Sequence, residues 1–123
     1  MNLILNTSSM VPIYEQIMEA IKNQIASGEL KPGDSLPSVR RLSSDLKISA
    51  LTVKKAYDRL EEEGFTTTIH GKGTYVTGTN VEMIKEQQRV LIEKELEAVV
   101  NKALVCGMTN DEIRDMLELL LED

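Results

Sequence analysis

A chain of 123 residues has room for one domain, or for one small domain with an appendage. Hydrophobic residues make up 41% of it but aromatics only 3%, with no Trp, so any core must be aliphatic. The net charge of -6 excludes a uniformly basic protein, and no apolar run approaches the roughly 18 residues of a membrane span.

The N-terminal Met1-Asn2-Leu3-Ile4-Leu5 lacks the basic and long apolar regions of a signal peptide, so a cytoplasmic protein is expected. Pro12 suits a first helical position, and Tyr14, Ile17, Met18, Ile21 and Ile25 then recur with the spacing of one helix face. Gly28 is expected to end that helix. Lys31-Pro32-Gly33-Asp34-Ser35 reads as a turn. Ser38 can cap a short second helix with Val39, Leu42 and Leu46 inward, and Ile48 plugs the turn after it. Ser49 can cap a third helix, in which Val53, Ala56, Tyr57 and Leu60 form an inward stripe ending at Gly64.

That stripe leaves Ala50, Leu51, Lys54, Lys55 and Asp58 on the other faces of the third helix. Its N-terminal half is basic and small, whereas Glu61-Glu62-Glu63 make its end acidic. The helix dipole also favours anions at the N-terminal end. Phe65–Ile69 and Thr74–Thr77 are β-prone runs joined by His70-Gly71-Lys72-Gly73, a hairpin with a cation at its tip. Two short helices, a brief turn and a glycine-tipped hairpin, in that order, are what a winged helix-turn-helix needs.

After Gly78 the composition changes. A long helical pattern runs from about Val81 to Val105, with Ile92, Leu96, Val99 and Ala103 on one face, extended by Ile84 and Leu91. Gly107 breaks it. Thr109-Asn110-Asp111-Glu112 is a capping-box pattern, and Ile113, Met116, Leu117, Leu120 and Leu121 stripe a last helix. Two amphipathic helices in such a tail cannot enclose a core, so a second copy of the chain is expected to cover them; packing onto the N-terminal domain is the alternative. The expected fold class is mainly α with a small β-hairpin: a winged helix-turn-helix domain over 1–78 and a helical dimerisation region over 79–123.

The negative charge is not evenly spread. Residues 1–78 carry nine Lys and Arg against nine Asp and Glu, while 79–123 carry five against eleven. Within 35–55, Arg40, Arg41, Lys47, Lys54 and Lys55 oppose Asp45 alone, a net +4. Exposed charges are screened beyond about 8 Å at physiological salt, so the local patch outweighs the total. The acidic tail does not veto nucleic acid.

Catalytic chemistry finds no foothold. There is no Cys/His pair placed for nucleophilic attack, no dinucleotide or Walker glycine loop, and Gly71-Lys72-Gly73 is too short to cradle phosphates. One His and one Cys cannot make a four-ligand zinc site, so neither metal nor cofactor is expected. The single Cys106 cannot form an internal disulfide and is expected as a small buried hydrophobe in a helix, with a sensing thiol as the sharper alternative.

These motifs resemble the GntR family of bacterial transcription regulators. The resemblance rests on Pro12–Ile17, Gly28–Arg40, Thr52–Gly64 and the wing Gly71–Val76, spanning roughly residues 11–77 in family order. A tail of two helices, too short for a separate effector-binding domain, is similar to the small YtrA-type subfamily. The resemblance implies a homodimeric repressor on a palindromic operator. Carried over residue by residue, it gives Arg40 at the start of the second helix, Ser49, Thr52 and Lys54 around the third, and His70, Gly71 and Lys72 at the wing tip. Ala50 and Ile69 depart from it, Ala50 standing where many members carry Arg or Pro and Ile69 where many carry Arg before the wing tip.

Together these readings place the third helix in a major groove. Lys54, Ser49 and Thr52 would reach bases or phosphates, Arg40 and Arg41 would hold the backbone with Lys55 alongside, and Lys72 with His70 would flank the minor groove. The expected partners are double-stranded DNA and a second copy of the chain. A small-molecule effector between the two regions stays open, and no residue set identifies one. A winged-helix module that docks proteins is the rival reading, and a steep loss of affinity with salt separates the two.

Overall fold

The computed structural model describes residues 3–78 and 81–122. Contacts divide the chain into two compact units, 1–85 and 86–123. The division falls inside a helix, later than the composition change at Gly78.

In the first unit, α1 (Ile13–Ser27), α2 (Val39–Leu46) and α3 (Ala50–Glu62) are followed by an antiparallel hairpin of β1 (Thr66–Ile69) and β2 (Gly73–Val76). Pro12 precedes α1 instead of opening it, and its carbonyl accepts from the Glu15 and Gln16 amides. α3 packs against both α1 and α2 and carries the core, because its Val53, Ala56, Tyr57 and Leu60 are all buried. Ile17 and Ile21 from α1, Leu42 from α2 and Phe65 ahead of β1 join that core. Each fully buried aliphatic side chain of this size is worth about 1.5–3 kcal/mol relative to exposure.

Tyr57 fixes α3 to the segment leading into α2. Its hydroxyl donates to the Pro37 carbonyl at 2.7 Å. Burial pushes the phenol well above its usual pKa, so it remains a donor throughout the working pH range. Ser38 accepts from the Arg41 amide and Ser49 from the Leu51 amide, so both short helices begin on side-chain caps. Between them Lys47 sits at φ 57, and the Ile48 amide reaches back to the Ser43 carbonyl. Glycine usually takes that left-handed place after a helix.

The hairpin gains a third edge from the loop before α2. Ser35 bridges Tyr75, the Leu36 amide donates to the Thr74 carbonyl at 2.8 Å, and the Gly33 amide donates to Val76 at 2.8 Å. The wing therefore stands on the same loop that launches α2.

α4 runs Val81–Val105. Its first turn belongs to the first unit, where Ile84 is fully buried. In the second unit α4 ends in a tight reversal: the Gly107 amide donates to Leu104 and the Met108 amide to Ala103. α5 (Asn110–Leu121) then starts on a complete capping box, with the Glu112 amide on the Thr109 hydroxyl and the Thr109 amide on the Glu112 carboxylate, both at 3.1 Å. Cys106 lies beyond the last helical residue and is exposed, which corrects the expectation of a buried helical thiol. Its place just past Val105, itself 89% exposed, takes it off the stripe of Leu96, Val99 and Ala103 that lines the groove with α5.

Candidate nucleic-acid interface

The first turn of α3 presents what the core leaves over. Val53, Ala56, Tyr57 and Leu60 face inward, so Ala50, Leu51, Lys54, Lys55 and Asp58 are exposed and Thr52 is half-buried on a flank. Ser49 is exposed, with its hydroxyl committed to the cap. Its oxygen keeps lone-pair and donor capacity for a second partner.

The cations of this face are not equivalent. Lys54 donates to Asp58 at 2.9 Å one turn on, and that hydrogen bond, with the carboxylate's charge, raises the Lys54 pKa. Its ammonium is therefore charged at any working pH. Lys55 turns toward α1, with its ammonium 4.0 Å from the centre of the Tyr14 ring, and Arg59 approaches the same ring at 5.5 Å. Lys55 thus sits on the α1 flank rather than the leading edge of α3. Arg41 lies 3.8 Å from Asp45 across one turn of α2, and Arg40 is exposed beside it.

The wing tip carries His70, Gly71 and Lys72, all exposed, with the turn closed by the Lys72 amide on the Ile69 carbonyl at 2.9 Å. Gly71, at φ 79, adopts a conformation that most side chains resist, so a glycine is favoured there. The outer edge of β1 is tied back to α3, because the Thr68 amide donates to the Glu61 carboxylate at 2.6 Å. At the α3–β1 corner, buried Lys22 reaches Glu63 at 3.3 Å and lies 4.9 Å from the Phe65 ring centre. Helix and wing are thus cross-braced.

The nine residues expected at a DNA interface fall on three neighbouring elements: Arg40 and Arg41 on α2, Ser49, Thr52, Lys54 and Lys55 on or capping α3, and His70, Gly71 and Lys72 at the wing tip. Two further residues on or beside this face were outside that set. Leu51, in the first turn of α3, is 78% exposed. Glu61 braces the wing, which its place in an acidic run concealed. A helical projection places Leu51 outward, yet an apolar residue carries no charge signal to mark it. Among the described residues there is no group of three metal-ligating side chains placed to hold an ion, and no helix long and apolar enough to cross a membrane.

Residues 13–76 match the family of bacterial regulatory proteins described as the gntR family. The HTH-type transcriptional repressor YtrA of Bacillus subtilis (strain 168) is 34% identical over 115 residues, covering 94% of this chain and 88% of that protein. A transcriptional regulator from Oenococcus oeni has a crystal structure similar to this one, with a TM-score of 0.72 at 32% identity over 96% of this chain and 98% of its own. The AraR(DBD) crystal structure in complex with operator ORE1 matches 63% of this chain and 94% of its own, with a TM-score of 0.53 at 28% identity. Helix-turn-helix, wing and sequence agree across these comparisons: the chain belongs to the GntR family and is a DNA-binding transcription regulator, not an enzyme.

Proposed function

We propose that the protein is a homodimeric repressor that reads a palindromic operator, with α3 of each copy in a major groove and the wing at the adjoining minor groove. The observation that carries this is the N-terminal half of α3, where exposed Ser49 and Lys54 and half-buried Thr52 are accompanied by exposed Arg40 on α2 and the exposed Gly71-Lys72 tip of the wing. Arg40, Arg41 and Lys72 hold phosphates, and Lys55 contributes from the flank. Ser49 and Thr52 are nearest to base edges, Lys54 reaches a phosphate beside them, and His70 with Gly71 enters beside the backbone. The operator-bound relative supports the choice of DNA over a protein partner.

Dimerisation is supported by the second unit. Its α4 and α5 enclose an apolar groove of about 150 Å³, lined among others by Leu96, Val99, Ala103, Ile113, Leu117 and Leu120. No residue of α5 is buried, and Leu119, Leu120 and Leu121 are largely exposed. Such a face requires apolar cover. A second copy supplies it and gives the two-fold symmetry that a palindrome mirrors, with half-sites about 34 Å apart or a multiple of that. Occlusion of a promoter in the cytoplasm is then the mode of action, by analogy with the repressor relative.

Selection of bound duplexes from random DNA with the full chain tests this reading. The expected product is an inverted repeat, and Arg40→Ala weakens binding to it in a gel shift at fixed salt by a similar factor whatever the operator sequence, as loss of a phosphate contact does. Unchanged affinity removes Arg40 from the interface. Failure to enrich any duplex removes the DNA reading.

A further inference from the structure

We infer that Leu51 is a specificity-determining residue that reads the C5-methyl group of a thymine in the major groove; this deepens the DNA-reading proposal and rests on it. Leu51 is the second residue of α3, and its amide is fixed by the Ser49 cap at 3.1 Å. The backbone that aims its side chain is thus held at the very start of the helix. The side chain lies on the face opposite Val53, Ala56 and Leu60, is 78% exposed, and takes no part in the core cluster.

A single exposed leucine is ordinary on a protein surface. Its surroundings make this one informative. Around it are the charged groups Lys54, Lys55, Asp58, Arg59 and Glu62, which share one shallow depression with it on the outer face of α3. The first-turn neighbour that also points outward, Ala50, is small and apolar. The leading edge of the reading helix is therefore apolar, with cations behind it. N-terminal residues of a recognition helix are the ones that meet base edges. The only apolar feature that the major groove offers on the four bases is the thymine methyl. Lys54, one turn behind, supplies the phosphate contact that holds this edge at the groove floor.

Ala50 lacks the reach and Leu51 has it. A leucine there offers no hydrogen bond, so it discriminates by burying a methyl against thymine and by leaving the amino group of cytosine unpaired at the same place.

The test uses the full chain and a duplex selected by it from random DNA. Each thymine is replaced singly by deoxyuridine, which removes the methyl group and nothing else. At fixed salt, one thymine in each half-site is expected to show about fourfold weaker binding when replaced, the amount that burial of one CH₂-sized group is worth. Leu51→Ala is expected to bind thymine and uracil duplexes equally at that position, and Leu51→Met to restore the preference. Because the side chain is outside the core, thermal unfolding of both variants stays with the parent. The same thymine-to-uracil ratio at every position in the parent and in Leu51→Ala overturns the inference while leaving DNA binding intact. If no duplex is enriched, the DNA reading falls and this assignment falls with it.

Discussion

Thr66 is 2% exposed, and its hydroxyl has no hydrogen-bond partner. A buried, unsatisfied hydroxyl costs about 1–3 kcal/mol, so Thr66→Val, which keeps the shape, should stabilise the fold by about 1 kcal/mol in urea unfolding. Lys22 is the opposite case. At 7% exposure it would be costly if unpaired, but Glu63 and the Phe65 ring face it. Glu63 stays partly in water, so the loss on Lys22→Ala should be about 1–2 kcal/mol rather than that of a fully buried pair. Lys22→Met, retaining the stem, should recover most of it. Neither role was legible in the sequence. Thr66 read as one of three β-prone threonines, and Lys22 falls between inward Ile21 and Ile25, where an isolated lysine passes for a solvated residue. Pairing across 41 positions leaves no local pattern.

The regular elements were legible wherever caps and periodicity agreed. Ser38, Ser49 and the Thr109–Glu112 box start helices as the sequence indicates, because short hydroxyl side chains satisfy the free amides of a first turn. The turn after α2 gave less warning, since Lys47 occupies a place that glycine signals elsewhere. Lys47→Gly should therefore be neutral or stabilising by up to about 1 kcal/mol, with relief of the strained backbone offset by chain entropy. The third edge of the wing was also hidden, because Gly33–Leu36 bonds to β2 through its backbone alone. That edge is closed by Gly78. At φ 78, a β-carbon there would sit 2.6 Å from the Pro32 β-carbon. Gly78→Ala should cost about 1–3 kcal/mol and loosen the wing, seen as a lower urea midpoint and faster amide exchange at Val76.

At the scale of the molecule, the sequence boundary at Gly78 marks where the composition shifts, but the first unit keeps the chain until Lys85. The physical reason is Ile84, which spends its side chain in the core of the first unit although it continues the apolar pattern of the tail. The exposed apolar face of α5 motivates the dimer. Leu120→Asp places a charge on that face, where it should halve the sedimenting mass and leave the first unit folded; an unchanged mass would remove α5 from the interface. The charge division has its own consequence, since the acidic groups concentrate in residues 79–123 while residues 35–55 keep a net charge of +4.

The dependence of DNA affinity on salt therefore bears most directly on the central claim, that two copies hold a duplex by the cations of α2, α3 and the wing. Affinity falls with a log–log slope of about -0.9 for each phosphate neutralised, so contacts from Arg40, Arg41, Lys54 and Lys72 in both copies predict a slope of about -7. Arg40→Ala should flatten that slope by about one for each copy if its contact is to phosphate. A slope near zero, in a protein whose fold is intact, would contradict the account.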